Sequence, residues 1–342
     1  MRRLILKLLI FHLSLAVLFA FPAWVFLVSG EWLSADFLVW RLQQVQPVMI
    51  SPAYSNQGVY IKLKSAQERT PAIVSLGTSR VLQFRANFFN ASFFNAGIGG
   101  LRLWDYRTFV EHLKVGDEPK LLIVGLDHNY FNPNFILSPR DMFNDPPGTN
   151  WVRLLSAWDD IYLDWLKRKF KISDLTKSSI NDIEYIGLLA KSHKSGCRND
   201  GSYLWYWWET HEKDLQNIAN NEDVYIRSNT LSEKSFAEVT ALLSLCKQRG
   251  ITVAGFLPPF SPSVYNALKK ERVEFACVFE TAGRLKSIFE QYGFPFEDFT
   301  DPAAFQIEKD GFHDGQHASE KAYLRLWASW AEREPALKSY SA

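Results

Sequence analysis

Hydrophobic positions along the chain fall into three regimes. From Leu8 to Val28 they run without a charge, with Met1-Arg2-Arg3 and Lys7 ahead of them. From Pro71 onward short apolar runs alternate with stretches of helical periodicity, and between about 131 and 230 that alternation stops before it resumes. The first regime predicts one hydrophobic helix. At about 1.5 Å per residue it spans roughly 30 Å, the thickness of one hydrocarbon core. A cleaved signal peptide has a shorter apolar region and a small-x-small site. Ala20-Phe21-Pro22 lacks such a site, so the segment reads as an uncleaved anchor, with His12 and Pro22 its unusual members. Positive charge before the span puts the N-terminus in the cytoplasm and the rest of the chain outside the cytoplasmic (inner) membrane, the periplasm in a two-membrane envelope. Trp24 and Trp32 suit its outer interface. Residues 31–70 read as a stalk or tether, with turns at Ser51-Pro52 and Ser55-Asn56-Gln57-Gly58.

The alternating regime predicts strands over 72–77, 92–96, 120–126, 251–257 and 294–299. Helices are predicted over 102–114, 232–249, 263–291 and 319–333. The third strand is continuously apolar, as parallel strands buried on both faces are. The expectation is a three-layer α/β/α fold with a parallel central sheet over 71–342, interrupted at about 131–230 by a mostly helical insertion. That insertion holds Pro133, Pro139, Pro146 and Pro147, an amphipathic helix over 152–171, and the cluster Leu204-Trp205-Tyr206-Trp207-Trp208. It is expected to cover the carboxyl edge of the sheet. The whole chain is then an anchor (1–30), a stalk (31–70) and one domain with an insertion.

Composition changes this picture little. The 342 residues suffice for one large domain with an insertion, and 38 Lys+Arg against 37 Asp+Glu favour no nucleic-acid partner. Aromatics at 15%, with 12 Trp, suit a large core, a membrane-facing surface or a sugar site. Cys197, Cys246 and Cys277 lack metal-ligand spacing and allow at most one disulfide; three buried thiols are expected. No metal or cofactor is expected.

Chemistry concentrates where strands end. Ile73-Val74-Ser75-Leu76-Gly77-Thr78-Ser79-Arg80 is a buried strand breaking at Gly-Thr-Ser before a helical segment, which exposes a serine at the carboxyl edge of an open sheet. Asn95-Ala96-Gly97-Ile98-Gly99-Gly100 follows the second strand, and glycine there lets a backbone N–H approach an oxyanion. Gly125-Leu126-Asp127-His128-Asn129 follows the third strand with three polar groups. Late in the chain, Asp314 and His317 stand three apart before the last helix. That spacing lets the carboxylate hold the imidazole Nδ1–H and leaves Nε2 to take a proton. Asp310 and His313 repeat the spacing one turn earlier; the second pair is preferred because it runs directly into the helix. Each block also has a bland reading: a junction, a tight turn, a helix cap, or a solvated histidine. Arg80 either holds an anionic substrate group or lies on a helix surface. The aromatic cluster 205–208 either stacks on sugar rings or packs as core, and Leu166-Lys167-Arg168-Lys169-Phe170-Lys171 either meets anionic lipid or is a solvated face.

In this order the blocks resemble the SGNH hydrolases, the GDSL-like esterases, and above all their membrane-anchored bacterial cell-envelope type. The resemblance covers roughly 70–130 and 232–333. It implies a flavodoxin-like SGNH fold, with Ser79 as nucleophile, Gly100 as oxyanion glycine, Asp314 as orienting acid and His317 as base. The third block departs from the pattern. Asp127 stands where the family has asparagine, and an ionised carboxylate cannot donate to an oxyanion. Either Asn129 or a backbone N–H takes that role, or Asp127 is protonated, or it does something else. The expected activity is a serine esterase or O-acyltransferase on cell-envelope polysaccharide or glycolipid, anchored in the bilayer through residues 8–28. An acyl-donor membrane protein is a further expected partner. The alternative is an inactive SGNH-fold component of a polysaccharide assembly machinery.

Overall fold

The computed structural model describes residues 2–54, 57–98, 102–135, 150–176, 179–180, 182–206 and 211–342. Of the segments singled out above, Ser55-Asn56, Gly99-Gly100, Pro139, Pro146, Pro147 and Trp207-Trp208 lie outside the described residues. The chain divides into two compact units, one of residues 1–61 with 145–199 and one of 62–144 with 200–342.

The second unit is built on five parallel strands: β1 (Ile73–Leu76), β2 (Phe93–Asn95), β3 (Leu121–Gly125), β4 (Thr252–Leu257) and β5 (Phe296–Asp298). Their spatial order is β2-β1-β3-β4-β5. Register pairs Ile73 with Phe93 and Leu121, and Leu121 with Thr252. The chain starts in the middle of the sheet, moves one place to one edge, then crosses back beyond its start. That reversal between β1 and β3 opens a crevice at their carboxyl ends, where α/β proteins bind ligands.

The longer helices that follow in this unit are α1 (Leu103–His112), α2 (Glu233–Gln248), α3 (Pro262–Lys270), α4 (Thr281–Tyr292) and α5 (Glu320–Arg333). Strand alternation decides which residues meet which helix. Ile73, Leu121, Ile123, Ala254 and Phe256 pack on one face with Tyr323, Leu326, Trp327 and Trp330 of α5. The Phe84 ring packs tilted against Tyr323 at 4.9 Å and the Phe89 ring edge-on against Trp327 at 4.8 Å, so part of the tryptophan richness is core. On the other face α1, α2 and α4 lie side by side. There Tyr106 Oη donates to the Gly125 carbonyl at 3.0 Å and Arg249 Nη1 to that of Val110 at 2.6 Å. The result is the expected three-layer α/β/α arrangement with an all-parallel sheet.

The strands fall where periodicity places them, each trimmed by one to three residues. The helix expected over 263–291 is instead α3, a short turn of helix at Ala276–Phe279, and α4. The break has a tertiary cause. Ser228 N donates to Glu274 O at 2.7 Å and Ala276 N to Ser228 O at 3.1 Å, which takes the backbone there out of helical pairing. The periodicity of 263–291 could not show this, because Ser228 is distant in sequence.

The first unit departs from the expected layout. Residues 31–61 are not a free stalk. They contribute a helix (Ala35–Leu42) and a strand (Val48–Ile50), which runs parallel to Ile183–Ile186 and antiparallel to Gly196–Cys197. Arg41 Nε reaches Glu184 Oε2 at 2.6 Å across that unit. The helix Gly58–Arg69 leads on, and Lys62 Nζ donates to Asn95 O at 2.7 Å in the sheet unit. The insertion is likewise shorter than 131–230. Asp200 O accepts from Asn95 N at 2.8 Å and Leu82 O from Tyr203 N at 3.0 Å, so the chain from 200 onward belongs with the sheet.

The N-terminal helix runs over Arg2–Ser29 and is long and apolar enough to cross a membrane. Large side chains from Leu4 to Leu15 lie exposed, while Val25 and Phe26 are buried against Leu154, Ala157 and Ile161 of a helix at Asn150–Leu166. The three cysteines are free thiols. Cys246 and Cys277 are buried, which pushes both up to about 12, and Cys197 is half-buried.

Candidate active site

β1 ends at Leu76, and Gly77-Thr78 carries the chain into one tight turn of helix at Ser79–Val81. Thr78 caps that turn: its Oγ1 accepts from Arg80 N at 3.3 Å. The turn lifts Ser79 off the strand and leaves it half-buried at the carboxyl edge. Three strand ends crowd around one side chain below it. A Cβ on Gly77, Gly97 or Gly125 would stand 2.5, 2.4 or 2.3 Å from a Val81 methyl, so all three positions need a hydrogen there. Overpacking such a point costs roughly 1–3 kcal/mol. Gly97→Ala is therefore expected to lower the urea midpoint by a corresponding amount, and adding Val81→Ala to recover part of it. An unchanged midpoint for the single variant would refute this packing.

The C-terminal loop is closed by its own backbone. Phe312 and Ala318 form an antiparallel bridge, His313 N donates to His317 O at 2.8 Å, and Ser319 N to Gly311 O at 2.7 Å. Within it Asp314 Oδ1 accepts from the N–H groups of Gln316 (2.8 Å) and His317 (2.7 Å). Its Oδ2 meets His317 Nδ1 at 2.6 Å. His317 Nε2 then lies 2.8 Å from Ser79 Oγ. Ser79, His317 and Asp314, 238 residues apart in chain position at the extremes that matter, form one continuous relay. Burial by itself would raise the Asp314 carboxyl. The hydrogen bond and charge of His317 and the two backbone N–H groups outweigh it and hold the carboxyl at about 2. Asp314 is thus ionised at neutral pH, which fixes Nδ1–H on the imidazole and leaves Nε2 as the acceptor for a serine proton.

The earlier Asp-x-x-His pair is not arranged this way. Asp310 is exposed in a turn at Lys309–Gly311, whereas His313 is buried. The loop is braced from outside as well. Gly315 N donates to Asp214 Oδ2 at 2.9 Å, Tyr225 Oη to Asp214 Oδ1 at 2.7 Å, and Ser261 N to Gly315 O at 2.9 Å. Nothing in the sequence pattern marks Asp214 or Tyr225 for this role, because their link to the loop exists only in three dimensions.

Asp127 follows β3, directly beside the Gly77–Ser79 turn. Its Oδ2 accepts from Thr78 Oγ1 at 2.6 Å, and Arg80 Nη1 lies 3.9 Å from Oδ1. Burial raises the carboxyl above its ordinary range, against the Arg80 charge, the Thr78 hydrogen bond and His317. Of the roles left open for Asp127, its contacts match holding the nucleophile turn in place. Asn129 lies in the short turn of helix His128–Phe131 and is half-buried; its carbonyl accepts from Asn132 N at 3.1 Å.

Arg80 is not a surface residue. It is buried, stacks on Phe260 at 4.5 Å, and donates to the carbonyls of Gln316 (3.1 Å), Pro258 (3.1 Å) and Pro259 (2.6 Å). One arginine therefore ties the nucleophile turn to the end of β4 and to the loop carrying His317. Trp205, the first described tryptophan of the aromatic cluster, lies with its ring 5.4 Å from that of His317 and 4.7 Å from that of Tyr203. The composition flagged the cluster but not its partner.

No protein-family model matches the chain, and no curated protein matches it. Among solved structures, a Bacteroides fragilis protein assigned as an acylhydrolase is similar with a TM-score of 0.36 and 13% identity, covering 81% of this chain and 95% of that one. A GDSL-like lipase from Bacteroides thetaiotaomicron is similar with a TM-score of 0.35 and 11% identity, covering 82% and 94%. Both overlaps are loose.

Proposed function

We propose that the chain is a serine acylhydrolase or O-acyltransferase of the SGNH type. The observation that supports this best is the unbroken relay from Ser79 Oγ through His317 to an ionised Asp314, at 2.8 and 2.6 Å. In the first step Ser79 Oγ attacks an ester carbonyl as its proton passes to His317 Nε2. The tetrahedral intermediate expels its alcohol, which takes that proton, and an acyl-enzyme remains on Ser79. His317 then removes a proton from water (hydrolysis) or from a sugar hydroxyl (transfer), and that oxygen releases Ser79. Asp314 stays ionised throughout and stabilises the imidazolium. The oxyanion is held by N–H groups of Ser79 and of the loop after β2, with Gly100 the residue the family resemblance points to. Asp127 serves the nucleophile turn rather than the oxyanion.

Arg2, Arg3 and Lys7 ahead of the apolar helix support an N-terminus in the cytoplasm and a catalytic unit outside the cytoplasmic membrane, anchored through residues within 8–28. On that reading the substrate is cell-envelope polysaccharide or glycolipid, and the acyl group comes from a small ester or a membrane-borne donor protein. A second reading, a non-catalytic assembly component, is favoured by one feature only: the residue after β3 is a carboxylate already engaged by Thr78.

The discriminating experiment is labelling of the full chain in detergent with a fluorophosphonate, which reacts only with an activated serine. Wild type should label. His317→Ala should abolish labelling, and His313→Ala should leave most of it. Absence of labelling in wild type, or equal labelling in His317→Ala, would remove the acyl-enzyme reading.

A further inference from the structure

The helix Asn150–Leu166 carries two apolar faces. One is buried: Leu154, Ala157 and Ile161 pack with Val25 and Phe26 of the N-terminal helix. The other is open, with Leu155 56% and Leu166 68% exposed and Val152 and Leu163 beside them, while Trp151 and Trp165 flank the packed side. A helix of an ordinary surface has one such stripe, turned inward.

Ring contacts fix how the two helices run. Trp32 meets Trp151 at 5.0 Å, Phe19 meets Trp158 at 5.6 Å, and Phe21 meets Trp165 at 5.1 Å. Tyr162 Oη donates to Leu18 O at 2.8 Å. The helices are therefore antiparallel, and the end carrying Leu163, Trp165 and Leu166 lies towards the free part of the N-terminal helix. That free part, from Arg3 to the Tyr162 contact at Leu18, is roughly 24 Å long at helical rise, against the roughly 30 Å of one hydrocarbon core, with Arg3 and Lys7 at its cytoplasmic end able to reach headgroups along their apolar stems. The packed half beyond Leu18 then stands at and above the membrane surface. Tyr162 and Trp165 fall at the boundary, where amphipathic aromatics are enriched.

The chain continues from Leu166 into Lys167, Arg168, Lys169 and Lys171, all exposed, with Ile172 exposed after them. Lys169 pairs with Asp164 at 2.7 Å, while Phe170 is buried and pins the segment to its unit. An apolar tip followed at once by basic residues matches an anionic bilayer surface: hydrocarbon takes the apolar side chains and phosphate takes the cations. Asp159 and Asp160, both exposed in the same helix on the side of Tyr162 away from the tip, leave the tip rather than the whole helix to the bilayer.

We propose that the Leu163–Leu166 tip of this helix, with the basic segment 167–171, lies in the interfacial layer of an anionic bilayer, giving this unit a second membrane contact beside the spanning helix. This uses the membrane anchor but not the acyl-transfer chemistry. The test uses the full chain with Cys197→Ser, reconstituted in vesicles of phosphatidylcholine with a minority of phosphatidylglycerol. An environment-sensitive fluorophore is attached at Leu166→Cys, or at Val273→Cys as an exposed control in the sheet unit; Val273 is 74% exposed. Because both side chains are exposed, neither change disturbs the core. The expected result is blue-shifted emission at 166, with quenching by spin-labelled lipid several-fold stronger than at 273. Equal quenching at the two sites would overturn the proposal. So would a blue shift at 166 without lipid quenching, which would mean that a protein or a second copy covers this face.

Discussion

Ser79→Ala is expected to reduce hydrolysis of an activated ester by roughly 10,000-fold or more, with the folded state intact. The size follows from what the hydroxyl does. Without a nucleophile no acyl-enzyme forms, and only substrate binding and oxyanion contacts remain to accelerate attack by water. The fold should tolerate the change because Ser79 is half-buried and its hydroxyl serves His317, whereas the turn itself is capped by Thr78 and tied by Arg80. Ester turnover by the full chain, with a urea unfolding curve on the same preparation, measures both halves of this claim. A variant within about tenfold of wild type would place the nucleophile elsewhere.

The second large effect is expected at Asp314. Asp314→Asn keeps the size of the side chain but offers His317 Nδ1 an amide, which favours the wrong tautomer. Turnover should fall by roughly 10,000-fold while fluorophosphonate labelling slows in parallel. The same residue carries a stability signature of definite sign. Its carboxyl is held at about 2 in the folded chain, below the ordinary carboxylate value of about 3.9. A depressed pKa contributes stability that is fully present above the unfolded value and is lost as pH falls through the folded one. With the side chain largely buried, this is on the order of 2 kcal/mol. Wild type should therefore exceed Asp314→Asn in urea midpoint at pH 7, by a margin that narrows below about pH 4 and closes near pH 2. A margin independent of pH would mean that the carboxylate is not what the loop is built around.

Both predictions concern residues the sequence could pick out, and the reason is local. The Ser79 junction is a break from strand to turn within eight residues, and Asp314 to His317 is a spacing of three that lets the side chain reach the ring inside one loop. Signals of that kind are read from neighbours in the chain. Strand positions were legible for the same reason: continuous apolar runs such as Leu121–Gly125 can be satisfied only between two layers. Asp310/His313 shares the spacing of Asp314/His317. What separates them is that His317, and not His313, meets Ser79 Oγ.

Other features needed the folded chain. Arg80 sits next to the nucleophile, and from sequence it was either a substrate ligand or a surface residue. Its actual partners are three carbonyls from two other loops, the nearest of them 178 residues away. In sequence the role of Asp127 stays open, and only the fold brings Thr78 and Arg80 against it. Residues 31–61 read as a tether because they lack the βα alternation. Their strand instead pairs with residues 183–186 of the segment expected as an insertion, a partner that no local window contains.

By itself the sequence determined the parallel α/β framework, the apolar N-terminal helix, and the positions of Ser79, Asp314 and His317, because each rests on periodicity or spacing over a few residues. Only the tertiary structure decided that Ser79 and His317 meet, that Asp127 and Arg80 contact the nucleophile turn and the loops beside it, and that 31–61 fold with 145–199. Those outcomes depend on hydrogen bonds and ion pairs between distant segments, whose formation is set by how the strands order themselves in the sheet and not by any property of the segments alone.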